Sequence, residues 1–215
     1  MPSTFKTALL AIARERITDD DPSHDLGHAV RIMNLAVRIA EDEGADLGIV
    51  IPAALFHDAV NYPKNDPRAN QSAEESADLA AQILRDLPGY PANKIPAVHE
   101  CIRQCSFSKG IVPTRLEAMI LQDADRLEAT GAISIMRTFA STGQMRRPFF
   151  STKDPFCDHR KPDAKHFALD LFFERLLKVS GQMHTRLGKK LAKKRDGILH
   201  QFLEALSEEL AESSE

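Results

Sequence analysis

Residues 48–61 read GIVIPAALFHDAVN, a nearly continuous apolar run that ends on an adjacent histidine and aspartate, His57 and Asp58. A run with no polar face predicts a central helix buried all round. Pro52 is tolerated in its first turn, where a missing N–H is not needed. An unpartnered polar group inside an apolar core costs roughly 2–7 kcal/mol, and an unpaired charge more. The pair at the end of this run therefore either faces water or is satisfied by something inside the fold.

The same helical periodicity extends in both directions. Phe5, Leu9, Ile12 and Ile17 mark a helix over 4–17. Over 25–42, Val30, Ile32, Leu35, Ala36 and Ile39 share one broad face, and Gly44 is placed to stop that helix. Ser72 and Glu75 have capping-box spacing and predict a helix to about Leu87, ended by PGYP. A short helix follows over 93–105. Thr114 and Glu117 repeat the capping-box spacing and open a helix read as running to about Ser141. Residues 143–164, with three prolines and many charges, read as a long loop with the look of a lid, although composition does not establish one. Helices over about 165–179 and 184–213 close the chain. No strand alternation, internal repeat or low-complexity segment interrupts the pattern. The expectation is an all-α chain of one domain, with a core over about 20–142 and a helical C-terminal extension over about 165–213.

Composition excludes several classes. The chain has 215 residues with a formal net charge of -3, so no global field points to nucleic acid or an anionic membrane. With no Trp, two Tyr and eleven Phe, the core must be mostly aliphatic. Cys101, Cys105 and Cys157 form no CxxC pair, which fits a reducing compartment. The charged, amphipathic N-terminus does not read as a signal peptide, and no apolar run approaches ~20 residues. A cytoplasmic protein is expected.

Partners for the His-Asp pair come from other apolar faces. His28 lies four, seven and eleven residues before Ile32, Leu35 and Ile39, so it sits on the apolar stripe of its helix. A lone histidine there can be a hydrogen-bonded core residue. Asp123 shares a face with Leu116, Ile120 and Leu127, and Asp125 with Ala118, Leu121, Ala129 and Ala132. Two residues apart is roughly 200° of helical rotation, so only one carboxylate turns inward, and periodicity does not choose. His28, His57, Asp58 and one of Asp123 or Asp125 form a donor set that suits a divalent Mn, Co, Ni, Fe or Zn ion.

The ordered series His28, His57-Asp58, Asp125 resembles the signature of the HD-domain superfamily of metal-dependent phosphohydrolases. The likeness spans about residues 20–210 and includes HDLGHAVRIMNLAVRIAEDEGAD, AALFHDAVNYPKNDPRANQS, CSFSKG, LEAMILQDADRLEATGAI and MHTRLGKKLAKKR. Its pattern ADxL selects Asp125 over Asp123. The resemblance implies an all-α HD-domain bundle of five core helices, here with additional C-terminal helices. It implies one divalent metal ion held by His28, His57, Asp58 and Asp125, with Asp58 also orienting the attacking water. It further implies hydrolysis of a phosphate ester or anhydride in a nucleotide or related phosphorylated small molecule, pyrophosphate release from a triphosphate included. Lys64 and Arg68 follow the HD pair and are either phosphate contacts or solvated loop charges.

Departures from the pattern motivate a second class, a low-turnover sensor that binds metal and nucleotide. Some branches carry a glutamate three residues after the aspartate, where this chain has Asn61, which accepts no proton. Many carry a histidine where this chain has Cys105, so His99 with Cys105 is a poor substitute for the histidines of dinuclear members. His24, one turn before His28, reads as a solvent-facing or outer neighbour rather than a ligand. Arg126 reads as a structural ion pair. The basic run GKKLAKKRD reads as the solvated face of a helix, and HFALDLFFERLLK as core or the seam of a homodimer.

Overall fold

The structure of the protein, a computed structural model, describes residues 3–17, 24–62, 66–105 and 110–213. Among these residues the secondary structure is helical, with no strand. Packing divides the chain into two compact units, Met1–Asp125 and Arg126–Glu215.

In the first unit, α1 (Ser3–Arg16), α2 (Leu26–Glu43), α3 (Leu47–Phe56), α4 (Ser72–Asp86) and α5 (Ile95–Cys105) pack around one aliphatic core. The sixth helix, α6 (Leu116–Leu127), ends at the boundary. As its composition predicts, α3 is the centre, with every residue from Gly48 to Phe56 buried. Full burial of each large apolar side chain stabilises by about 1.5–3 kcal/mol. α2 buries one stripe of His28, Ala29, Ile32, Met33, Ala36, Ile39 and Ala40 and stops at Gly44, whose φ of 73° closes a left-handed cap on Ala40 O.

Pro52 is not in the first turn of α3 but is its sixth residue, because the helix begins earlier, on the cap of Asp46 to the Gly48 N–H at 2.8 Å. Lacking an N–H, Pro52 cannot serve the carbonyl four residues back, that of Gly48. The Tyr90 hydroxyl donates to that oxygen instead, at 2.7 Å. Lys94 Nζ lies 2.9 Å from Asp46 Oδ1. Burial pushes the Asp46 carboxyl up, but the hydrogen bonds from Lys94 and Gly48 outweigh it and hold it below the usual range.

Both expected capping boxes are absent. Ser72 is already helical, at φ −48° and ψ −47°, because α4 grows directly out of a 3-10 turn over Pro67–Gln71 that Asp66 caps. Glu75 accepts from the Tyr62 hydroxyl at 2.6 Å. The Thr114 N–H is met by Gln104 Oε1 at 3.2 Å, and Glu117 pairs with Arg115.

The helix read as continuous to Ser141 is two helices. Leu127 O accepts from Thr130 Oγ1 and Arg195 Nη1, both at 2.7 Å, so α6 ends there. α7 (Gly131–Met145) restarts on Gly131, whose φ is +71° and where a Cβ would come within 3.0 Å of Arg195 Cβ. Only glycine meets both conditions without strain. The second unit packs α7 with α8 (Leu177–Val179) and α9 (Arg186–Glu212) around Leu169, Phe172, Leu176 and Leu199. Within this core the Phe172 and Phe202 rings stack, and Phe139 meets Phe202 edge-on.

The loop read over 143–164 is tied at several points. Leu169 N donates to Phe149 O at 2.8 Å, Arg147 to Ala164 O, and Arg160 forms a two-pronged pair with fully buried Asp170. These bonds use the backbone of 164–169, so helical turns begin only at Asp170, not 165.

Candidate metal centre

The ends of three helices supply the site. Asp25 caps α2, its Oδ1 accepting the His28 N–H at 2.6 Å, which fixes His28 in the first turn on the buried stripe. His57 is the residue on which α3 ends, and Asp58 lies just past it in the following turn. Asp125 lies near the end of α6. The pair that ends the apolar run is therefore split by burial. His57 is 3% exposed, while the side chain of Asp58 is 37% exposed.

His28 Nε2 and His57 Nε2 are 3.3 Å apart. Asp58 Oδ2 is 3.4 Å from His57 Nε2 and 3.8 Å from His28 Nε2. Asp125 Oδ1 is 3.9 Å from each imidazole nitrogen. The donor atoms of His28, His57 and Asp125 all lie within 4.8 Å of one another. Asp123 is fully buried and outside this group, so of the two carboxylates left open by periodicity the structure brings Asp125 to the histidines.

These separations suit a coordination shell. Ligands at about 2.1 Å from an ion are about 3.0–3.4 Å apart along polyhedron edges and about 4.2 Å apart across an octahedron. The ring chemistry agrees. His57 Nδ1 lies 2.9 Å from Ala54 O, which can only accept, so Nδ1 carries the proton and Nε2 presents its lone pair toward His28, Asp58 and Asp125. Ala54 is the one contributor with no sequence signal beyond its place one turn before His57. Two imidazoles and two carboxylates form a fitting donor set for a divalent ion.

The other candidates fall around this centre. His24 Nε2 is 4.0 Å from Asp58 Oδ2, and its ring meets His28 edge-on at 5.8 Å between centroids. Arg68 is exposed, stacks 4.3 Å from the centre of the Tyr62 ring and pairs with Asp66 at 2.8 Å. The side chain and backbone N–H of Arg68 hold the Asp66 carboxyl down at about 2. Lys64 lies outside the described residues. Asn61 is exposed, Cys105 is buried, and His99 pairs with Asp78 rather than with Cys105. Arg126 donates to Gln182 O at 2.8 Å and bonds the His184 ring at 2.9 Å. Among the described residues, no helix is long and apolar enough to cross a membrane.

The HD domain family model matches residues 25–130. The protein YpgQ of Bacillus subtilis is 30% identical over 197 residues, covering 90% of this chain and 88% of YpgQ. A crystal structure of Bacillus subtilis YpgQ in complex with ADP superposes with a TM-score of 0.72 at 26% identity, covering 95% and 94% of the two chains. An HD-superfamily hydrolase from Bacillus thuringiensis gives a TM-score of 0.76 at 26% identity, covering 98% and 99%. With the ordered histidines and aspartates gathered at three helix ends, these similarities show that the chain belongs to the HD-domain superfamily of metal-dependent phosphohydrolases.

Proposed function

We propose that the chain hydrolyses a phosphate ester or anhydride of a nucleotide, releasing pyrophosphate from a nucleoside triphosphate, at one divalent ion held by His28, His57, Asp58 and Asp125. The observation that carries this is the meeting of two buried imidazole nitrogens 3.3 Å apart with carboxylates from two further positions. Such an ion lowers the pKa of a bound water and polarises a phosphoryl oxygen.

The chain's own residues divide the remaining work. His28 and His57 are buried, which keeps bulk water off one side of the site. Asp58 is the more exposed carboxylate of the two, at 37% against 27% for Asp125, so it meets solvent and orients the attacking water as a hydrogen-bond acceptor. With Asn61 unable to accept a proton, Asp58 also serves as the base toward that water. Arg68 is exposed enough to exchange Asp66 for a phosphate, and Lys64 stands beside it in sequence. Phosphoryl transfer demands chiefly positioning and charge neutralisation, which this arrangement supplies. The nucleotide is inferred from the ADP bound to the related YpgQ. The whole chain is taken as one HD-type functional unit in the cytoplasm, with all four ion-binding residues in its first compact unit.

Asn61 and Cys105 favour one alternative, a sensor that binds metal and nucleotide with little turnover. Phosphate and pyrophosphate release from a nucleotide panel separates the two. The assay is run with Mn, Mg, Co, Ni, Fe or Zn and with His57→Ala as control. Metal-dependent release that the control loses supports the hydrolase. Tight binding of one ion without release from any nucleotide refutes it in favour of the sensor.

A further inference from the structure

We propose a second metal site on the outer face of the α4–α5 pair, where Glu74, Asp78 and His99 bind a borderline divalent cation such as Zn2+, Co2+ or Ni2+. It shares no residue with the HD centre. Glu74 and Asp78 are one helical turn apart and so lie on one face of α4. His99 comes from α5. One donor atom from each of the three lies within 4.8 Å of the other two.

The donor chemistry and spacing support an ion. His99 Nε2 is 3.0 Å from Asp78 Oδ1, the edge expected for neighbouring ligands about 2.1 Å from an octahedral ion. A mixed imidazole and carboxylate set selects first-row divalent ions over Mg2+ or Ca2+. Asp78 is exposed and Glu74 and His99 are partly so, which leaves room for water to complete the shell. His99 also lines a cavity of about 340 Å³ with Ala81, Arg85, Ala92, Ile95 and Pro96.

Arg103, one turn after His99, donates from Nε to Glu74 Oε2 at 2.5 Å. It takes a single oxygen of Glu74. A plain ladder of two exposed ion pairs would use the same four side chains, and it predicts no second ion. A bound ion would join α4 to α5 across a sequence separation of 21 residues, from Asp78 to His99.

The test is titration of chelator-stripped full-length protein with Co2+ and with Zn2+, by calorimetry and by metal analysis after gel filtration. The wild type should hold two ions, and His57→Ala and His99→Gln one each. Asp78→Asn should weaken the second event at least tenfold, and Arg103→Gln should tighten it. His99→Gln should hydrolyse nucleotide as the wild type does. A single event in the wild type that His99→Gln retains, or two undiminished events in His99→Gln, overturns the site and leaves an exposed ion-pair ladder.

Discussion

Tyr90→Phe isolates one bond in the helix that delivers His57. Pro52 removes the N–H that would serve Gly48 O, and the Tyr90 hydroxyl replaces it at 2.7 Å. Tyr90 is 7% exposed and Gly48 is buried, so the variant leaves a carbonyl with no donor in a site that water reaches poorly. Leaving one such group unsatisfied costs about 1–3 kcal/mol. A central value of about 2 kcal/mol converts to about 4–8 °C in Tm for a chain of this size. Burial, and then the Asp46 carboxylate, push the Tyr90 phenol well above its ordinary value. Its folded pKa therefore exceeds the unfolded value of about 10, and its contribution is present below about pH 10 and lost as pH rises above it. The slope can reach about 1.4 kcal/mol per pH unit, and Tyr90→Phe lacks it. Denaturant unfolding followed by circular dichroism should show a gap between the two proteins at pH 7 that narrows above pH 10. Equal stability at pH 7, or a gap that stays constant through pH 11, would refute the replacement of the proline's missing donor by Tyr90. Metal content should be unchanged, because His57 is fixed by Ala54 O at the other end of α3.

Asp125→Ala should lower affinity for the HD-site ion by more than the roughly 10–100-fold typical of outer groups, while Asp123→Asn should cost stability and leave ion content intact. Metal analysis with parallel melts decides, and the reverse pattern would move the ligand to Asp123. Asp170→Asn should destabilise the second unit by about 3–5 kcal/mol, because it breaks a buried pair and strands Arg160. Burial alone would raise the Asp170 carboxyl, but Arg160 and the Asp163 N–H outweigh it and hold it low. That stability is present above about pH 4 and lost as pH falls through the folded value, so the variant should show a shallower acid limb in equilibrium unfolding. Gly131→Ala should cost about 1–3 kcal/mol, since φ is +71° and the new Cβ would press on Arg195, and urea midpoints should shift accordingly.

The helical class and the identity of the central helix were legible because apolar periodicity over long segments reports burial directly. The run at 48–56 has no polar face, and the structure buries all of it. Boundaries were less legible, for local reasons. Ser72 and Thr114 have the spacing of caps, but a preceding 3-10 turn and a Gln104 contact take those roles. The break at Gly131 depends on Arg195 crowding from a helix far along the chain, which no window of sequence contains.

The sequence by itself determined which side chains could serve chemistry: two histidines on apolar faces, one aspartate beside the second, and two further aspartates of which family resemblance selected one. Only the tertiary structure decided that α2, α3 and α6 end close enough for Asp125 to come within 3.9 Å of both imidazoles while Asp123 stays in the core. It alone set Tyr90 against the carbonyl left by Pro52 and His99 against Asp78. The reason is physical: periodicity fixes the face on which a residue lies, but the distance between faces of different helices is set by how their side chains pack.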